Sequence, residues 1–313
     1  MDLNKIKVRR SFIFTPGLNP EMFPKALASG ADMVCIELED GIAIKDKDEA
    51  RKNTINALKN LKINNDVELV VRVNCQRTKP GLLDLEAFIS SKLNVKALML
   101  PKVKTPDEIT FIDDLLTDCN LDTDLHVIME TNEALENIYD IAHASKRIVA
   151  LYFGGVDMAA ELRVPNSYEN LIYARSKLVH AGASVGIDVI DVPYLDLEDM
   201  DGMKKEAELV RNLGFTGKGS IHPKQINILN SVNAKLPEYA HLPMVLSAEG
   251  KRLSKRDGAV DINDFKEKGY LKEAMINYLI KLGWTYKEQE IFSKEELINF
   301  LSLSPKTLSA GLK

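Results

Sequence analysis

Between residues 11 and 223, short apolar runs rich in β-branched side chains alternate with longer stretches of helical periodicity, the pattern of parallel strands joined by crossover helices. Eight such runs cover residues 11–16, 33–40, 69–74, 97–103, 125–131, 148–155, 184–191 and 217–223. Intervening segments such as 46–60, 106–118 and 168–181 are each long enough for a crossover helix. Eight strands in this span predict an α/β fold, a (β/α)8 TIM barrel. A doubly wound sheet would carry fewer strands and a phosphate loop after the first, and neither GxGxxG nor GxxxxGK(S/T) occurs. The 313 residues leave room for one barrel and a small appendage.

Hydrophobic residues at 45% and charged residues at 28% are the proportions of an ordinary globular protein and exclude disorder or a fibrous repeat. A net charge of -5 gives no global electrostatic footprint for nucleic acid, so no nucleic-acid partner is expected. No apolar run reaches the ~18 residues of a membrane span. The N-terminal segment lacks the apolar core of a secretory signal, so the cytoplasm is the expected compartment. Cys35, Cys75 and Cys119 form no CxxC pair, which argues against a disulfide framework or a thiolate zinc site.

Polar groups gather at the strand ends, where barrels place their catalytic residues: Glu39 and Asp40, Arg72 and Asn74, Lys102, Glu130, Asp157 and His222. Glu130 and Asp157 follow consecutive strand-like runs, so their carboxylates come within reach at the barrel mouth and suit a hard divalent cation. Mg2+ takes one or two protein carboxylates and leaves positions for water and substrate. Alternatively, Asp157 caps a helix and Glu130 is a solvated loop carboxylate. Arg72 interrupts a core-like run and needs an anionic partner there, either a ligand carboxylate gripped by its fork or a structural pair with Glu39 or Asp40. Thr15, Pro16 and Gly17 end the first run in a turn whose glycine permits close approach of a ligand. His222 reads either as a base or as a packing and hydrogen-bonding element before Pro223. The other histidines show no metal-ligand spacing.

Beyond Gln225 the strand-like runs fade. Residues 236–313 hold a basic hexad at 251–256 and then amphipathic helical stretches, and form a second unit beside a barrel unit of residues 1–230. Leu271, Met275, Tyr278, Leu279 and Leu282 recur on one face of a helix that Gly283 would cap. A second helix over 292–301 has Ser293 as N-cap and Glu296 three residues on, the spacing of a capping box.

The strings RSFIFTPG (10–17), LEDG (38–41), VRVN (71–74), MLPKV (99–103), Met129-Glu130-Thr131, FGGVD (153–157), YAR (173–175), GFTGK (214–218) and IHPKQ (221–225) resemble the citrate lyase beta subunit-like family over residues 9–230. That family includes malyl-CoA and citramalyl-CoA lyases and is related to the HpcH/HpaI aldolases. The resemblance implies a TIM barrel, Glu130 and Asp157 as Mg2+ ligands, and Arg72 as the arginine that holds the substrate carboxylate and carbonyl. It implies Glu39 and Asp40 as acidic, water-holding residues near the metal, with CoA running along the mouth near Thr15, Pro16 and Gly17. The implied chemistry is Claisen-type cleavage or condensation of a 3-hydroxyacyl-CoA thioester, with a 2-oxo acid as the other ligand, in a homo-oligomer. A thioesterase using the same enolate-stabilising site is a variant of this expectation, and a binding barrel with little turnover is the alternative.

The family's usual C-terminal helices are replaced. Residues 236–300 resemble glutamyl-tRNA synthetase, with Leu253-Ser254-Lys255-Arg256 in the place of its KMSKS-type loop. No HxGH signature occurs, so aminoacylation is not expected, and tRNA binding through the tail is a minor alternative. The chain reads as a fusion.

Overall fold

The computed structural model describes residues 7–61, 67–93, 95–232, 262–281, 289 and 291–301. By its internal contacts the chain divides into two compact units, Met1–Leu236 and Pro237–Lys313. The first is a closed barrel of eight strands in sequence order, all pairs parallel, with β8 returning to β1. The expected (β/α)8 architecture is therefore present.

Its first half runs β1 (Ser11–Pro16), α1 (Phe23–Leu27), β2 (Met33–Glu37), α2 (Lys47–Leu58), β3 (Glu68–Arg72), α3 (Lys79–Ser91), β4 (Ala97–Leu100) and α4 (Pro106–Asp118). The second half runs β5 (Asp124–Met129), α5 (Asn132–Glu136), α6 (Ile138–His143), β6 (Ile148–Phe153), α7 (Gly155–Leu162), α8 (Ile172–Val185), β7 (Asp188–Asp191), α9 (Met200–Leu213), β8 (Gly217–Ser220) and α10 (Pro223–Val232). Helix starts follow local chemistry: Thr78 accepts from the amide of Gly81 ahead of α3, and Asp199 accepts from Gly202 ahead of α9.

Most paired strands are shorter than the apolar runs that announce them. Leu38, Val73 and Val103 lie past the ends of β2, β3 and β4, yet each is fully buried in the layer between strands and helices. Burial outlasts pairing, and run length therefore overestimates strand length. Residues 184 and 185, expected in the seventh strand, belong to α8, which Gly186 ends with a left-handed φ of 72°.

Side chains alternate across each strand with period two. Val34, Ile36, Leu69, Val71, Leu98, Leu100, Val127 and Leu151 pack outward under the helices. Phe12, Met33, Cys35, Val70, Met99, Ile128, Tyr152 and Ile190 fill the barrel interior. This alternation continues to the upper rim, where the inner positions are no longer apolar: Glu37 follows Cys35, Arg72 follows Val70, and Glu130 follows Ile128.

In the second unit, α11 (Ile262–Glu267), α12 (Lys272–Lys281) and α13 (Lys294–Leu301) are described. The capping box ahead of α13 is present: the Ser293 amide donates to Glu296 Oε2 at 2.8 Å, and the Glu296 amide to Ser293 Oγ at 3.2 Å. Asn277 ties α12 to the approach of α13, accepting from the Phe292 amide at 2.7 Å and donating to its carbonyl at 3.0 Å. On the apolar face expected for α12, Leu271, Tyr278 and Leu279 are exposed. Leu282, Gly283, Trp284 and the basic hexad at 251–256 lie outside the described residues.

Candidate active site

Five carboxylates and two cationic side chains converge at the C-terminal ends of β2 to β6. Arg72, the last residue of β3, pairs with Glu37, its register neighbour at the end of β2. Its second nitrogen lies 3.6 Å from Glu39, and its guanidinium carbon stands 4.8 Å from the centre of the Phe14 ring. Glu37 also accepts the backbone amide of Glu39. Burial pushes the Glu37 carboxyl up, against the pull of Arg72.

Glu39 is buried and Asp40 exposed, and both bind Lys102: its Nζ lies 2.6 Å from Glu39 Oε1 and 3.0 Å from Asp40 Oδ1. The loop that presents them is tied down from below by Lys47, which donates to the carbonyls of Leu38 and Glu39 at 3.2 and 2.9 Å. Partial burial works against the charge on Asp40, but the hydrogen bonds of Lys102 and Glu39 and the charges of Lys102 and Arg72 together outweigh it, and the carboxyl falls below its usual value.

Glu130 follows β5 and is buried at 3% exposure, with Oε1 accepting the Lys102 amide at 2.7 Å. Burial and the facing carboxylate of Asp157 push it up to about 8. Two acids held together in a poorly hydrated place cannot both ionise easily, and a divalent cation between them reverses that balance. Asp157 sits half-buried in the first turn of α7, and the N-cap position belongs to Gly154, so its carboxylate is not used as a cap. Gly154 is required here, since a Cβ would fall 2.3 Å from Glu130 Cβ and 2.9 Å from its Oε2. Among the described residues no group of three or more His, Cys, Asp or Glu converges as a metal cage. Two carboxylates with space for further oxygens is the donor set of a hard cation such as Mg2+, not of a closed zinc site.

Asp40, Arg72, Glu130 and Asp157 line one cavity of about 200 Å3, floored by Phe12, Phe14, Met99, Ile128 and Tyr152. Asp191 reaches the same cavity from β7 but is committed elsewhere, to Arg175 at 2.9 Å and Lys218 at 2.5 Å.

The structure thus brings together Arg72, Glu39, Asp40, Glu130 and Asp157. It does not bring Thr15, Pro16 and Gly17 into the cavity. At Gly17 a Cβ would meet Leu38 at 2.6 Å and Thr54 at 2.7 Å, so close packing against these two side chains by itself requires a glycine there. Thr15 is buried on the outward side of β1, at 1% exposure. His222 is likewise absent from the cavity lining, and its Nδ1 accepts the Lys224 amide at 3.1 Å at the start of α10.

Two site residues carry more than the sequence suggests. Glu37, read as part of an apolar run, is the main partner of Arg72 in place of Glu39 or Asp40. The period-two sequence Met33, Cys35, Glu37 is the signal that places it on the inner face. Lys102 stands out as a strand-end lysine, but its three carboxylate partners come from distant segments.

The family model for HpcH/HpaI aldolase/citrate lyase matches residues 10–223, and the chain belongs to this family. It is 32% identical to citrate lyase subunit beta of Escherichia coli (strain K12), over 83% of this chain and 88% of that protein. Citramalyl-CoA lyase of Homo sapiens, a mitochondrial protein, is 30% identical over 74% of this chain and 72% of its own length. Among solved structures, the citrate lyase beta subunit of M. tuberculosis complexed with oxaloacetate and magnesium superposes with a TM-score of 0.63 at 28% identity, covering 75% of this chain and all of that one. A second family model, for the catalytic domain of class I tRNA synthetases (E and Q), matches residues 209–310. The glutamate–tRNA ligase of Nitrosospira multiformis is 48% identical over 31% of this chain but only 22% of its own length. The synthetase-like match begins within α9, earlier than the expected residue 236, and overlaps the end of the barrel.

Among the described residues no helix is long and apolar enough to cross a membrane.

Proposed function

We propose that the protein is a Mg2+-dependent carbon–carbon lyase that cleaves or forms a 3-hydroxyacyl-CoA thioester of the malyl-CoA or citramalyl-CoA type. The observation that carries this reading is the pair Glu130 and Asp157, two carboxyl groups facing each other beside Arg72 in one cavity. Glu130 and Asp157 would hold the cation, which supplies Lewis-acid polarisation of a 2-oxo acid carbonyl. Arg72 presents a planar fork to the substrate carboxylate, aimed by Glu37 and resting on Phe14. Glu39 and Asp40 hold water at the rim and keep the approach polar. The aromatic floor excludes water from the reacting carbons while charge develops on the thioester enolate.

On this reading the ligands are a CoA thioester and a 2-oxo acid, the thioester crossing the mouth near β1, in a homo-oligomer in the cytoplasm. The segment after α10 resembles a synthetase fragment and not a lyase lid, which favours a slower enzyme than a complete family member. The test is purified full-length chain with Mg2+, assayed against malyl-CoA, citramalyl-CoA, and acetyl-CoA plus glyoxylate. Product that EDTA abolishes supports the lyase, and ligand binding without turnover replaces it with a binding barrel.

A further inference from the structure

Four non-glycine residues among those described adopt a left-handed backbone: Lys92, Lys102, Asn120 and Arg163. Lys92 and Arg163 are the C-caps of α3 and α7, and Asn120 follows the C-cap of α4, so three of the four terminate helices in the usual way. Lys102 does not. It follows Pro101 at the end of β4, with φ 55°, in a conformation that disfavours any side chain with a Cβ. Strain of this kind persists where surrounding contacts over-determine it.

The contacts are specific. The Lys102 amide donates to Glu130 Oε1 at 2.7 Å, and its carbonyl accepts from Arg77 at 2.7 Å, which Glu108 holds in turn at 3.1 Å. The same residue sends its ammonium across the mouth to Glu39 and Asp40, at 2.6 and 3.0 Å. One residue therefore engages three of the five site carboxylates, each through a different atom pair. The left-handed φ sets the angle between that amide, held on Glu130, and the side chain that reaches Glu39 and Asp40.

Resting on the lyase reading above, we infer that Lys102 is a positioning residue that sorts the acids of the mouth into two sets. Its amide commits one oxygen of Glu130 and leaves the other for the cation. Its ammonium withdraws Glu39 and Asp40 from competition for that cation and offsets their charge beside the berth of an anionic ligand. Among the described residues Arg72 and Lys102 make the ion pairs to Glu37, Glu39 and Asp40, while Lys47 binds the loop carbonyls below, so removal of the Lys102 ammonium leaves a cation-loaded site more negative. The consequence separates two affinities: loss of the ammonium should leave Mg2+ binding intact or tighter while weakening a 2-oxo acid. General damage to the fold would weaken both together.

The test is calorimetry on the full chain, first with MgCl2 and then with pyruvate at saturating Mg2+, for wild type, Lys102→Met, Lys102→Gly and Lys102→Arg. In Lys102→Met, Mg2+ affinity should be unchanged or raised, and pyruvate affinity should fall roughly tenfold, the effect of one charge several ångströms away in a partly screened site. Lys102→Gly adopts the left-handed backbone freely, keeps the amide on Glu130 and should reproduce that split. Lys102→Arg should return pyruvate affinity close to wild type. Pyruvate affinity in Lys102→Met equal to wild type overturns the inference, as does joint loss of Mg2+ and pyruvate binding with a lowered melting temperature. Wild-type protein that binds neither probe overturns the lyase reading itself and this inference with it, a result distinguishable because no substitution is involved.

Discussion

The floor and the mouth of the barrel are built from the same strands and treat charge in opposite ways. At the floor, Arg9 grips Glu68 through two hydrogen bonds of 2.6 and 3.1 Å and reaches Asp188 at 2.8 Å, while His126 meets the Tyr152 hydroxyl at 2.8 Å and lies 3.5 Å from Glu68. Burial works against the charge on Glu68, but the nearby His126 and the hydrogen bonds and charge of Arg9 together outweigh it and hold the carboxyl well below the usual carboxylate range. At the mouth, burial and a facing carboxylate push Glu130 the other way. Strand β3 carries both designs, beginning with Glu68 at the floor and ending with Arg72 at the rim. Charges satisfied by one another stabilise a fold, and charges left opposed await a ligand.

Substitutions at the two ends should therefore part company. The largest effect is expected from Glu130→Ala and Asp157→Ala, each of which should abolish Mg2+-dependent turnover, by roughly a thousandfold or more if direct cation contacts are lost. Melting temperature should stay level or rise, because a buried acid opposed by another is removed. A large fall in melting temperature in both variants would show that the mouth is structural.

Glu68→Gln should do the reverse, lowering stability by roughly 3 kcal/mol, the scale for breaking a buried ion pair, while Mg2+ affinity at 25 °C is unchanged. Its pH signature has a definite sign. The folded pKa of Glu68 lies below its unfolded value, so its contribution is present above about pH 4 and is lost as the pH falls through the carboxylate range. Denaturant unfolding as a function of pH should show a shallower acid limb in Glu68→Gln than in wild type, and superimposable limbs would remove Glu68 from the account.

A smaller effect is expected for Arg72→Lys, about a tenfold loss of glyoxylate or pyruvate affinity with charge retained, because a point ammonium cannot reproduce the fork. Equal affinity in titration calorimetry would contradict the role of Arg72. The smallest effect is expected from ending the chain at Leu236, which should leave Mg2+ affinity within about twofold, since the cation pair lies wholly in the first unit. Ending it at Asn230 instead removes Val232 from its cluster with Met203, Ala207 and Leu229, and the melting temperature should fall.

The eight strands and their order are legible because a parallel sheet covered by helices must read as repeated apolar runs. Strand ends are not, since Leu38, Val73 and Val103 are as buried after pairing stops as their neighbours are within it. At the site, the acids at 39, 40, 130 and 157 and the arginine at 72 stand out because charge at the end of a core-like run is costly without a partner. Glu37 is hidden by the run it ends, although period two points it inward. The contacts of Lys102 are not legible at all, because nothing local in Leu100-Pro101-Lys102 specifies a left-handed backbone, and its partners lie 28 to 63 residues away. Gly17 and His222 also sit at strand ends, where position alone does not separate packing or hydrogen bonding from ligand contact: a Cβ at Gly17 would meet Leu38 and Thr54, and His222 accepts the Lys224 amide, the hydrogen-bonding reading of the two its sequence left open.

The most direct test of the difference between floor and mouth is MgCl2 titration calorimetry on wild type, Glu130→Ala and Glu68→Gln under one buffer condition at which all three are folded. The account predicts saturable binding to wild type and Glu68→Gln with matching affinity, and none measurable for Glu130→Ala. Unchanged Mg2+ affinity in Glu130→Ala would contradict it.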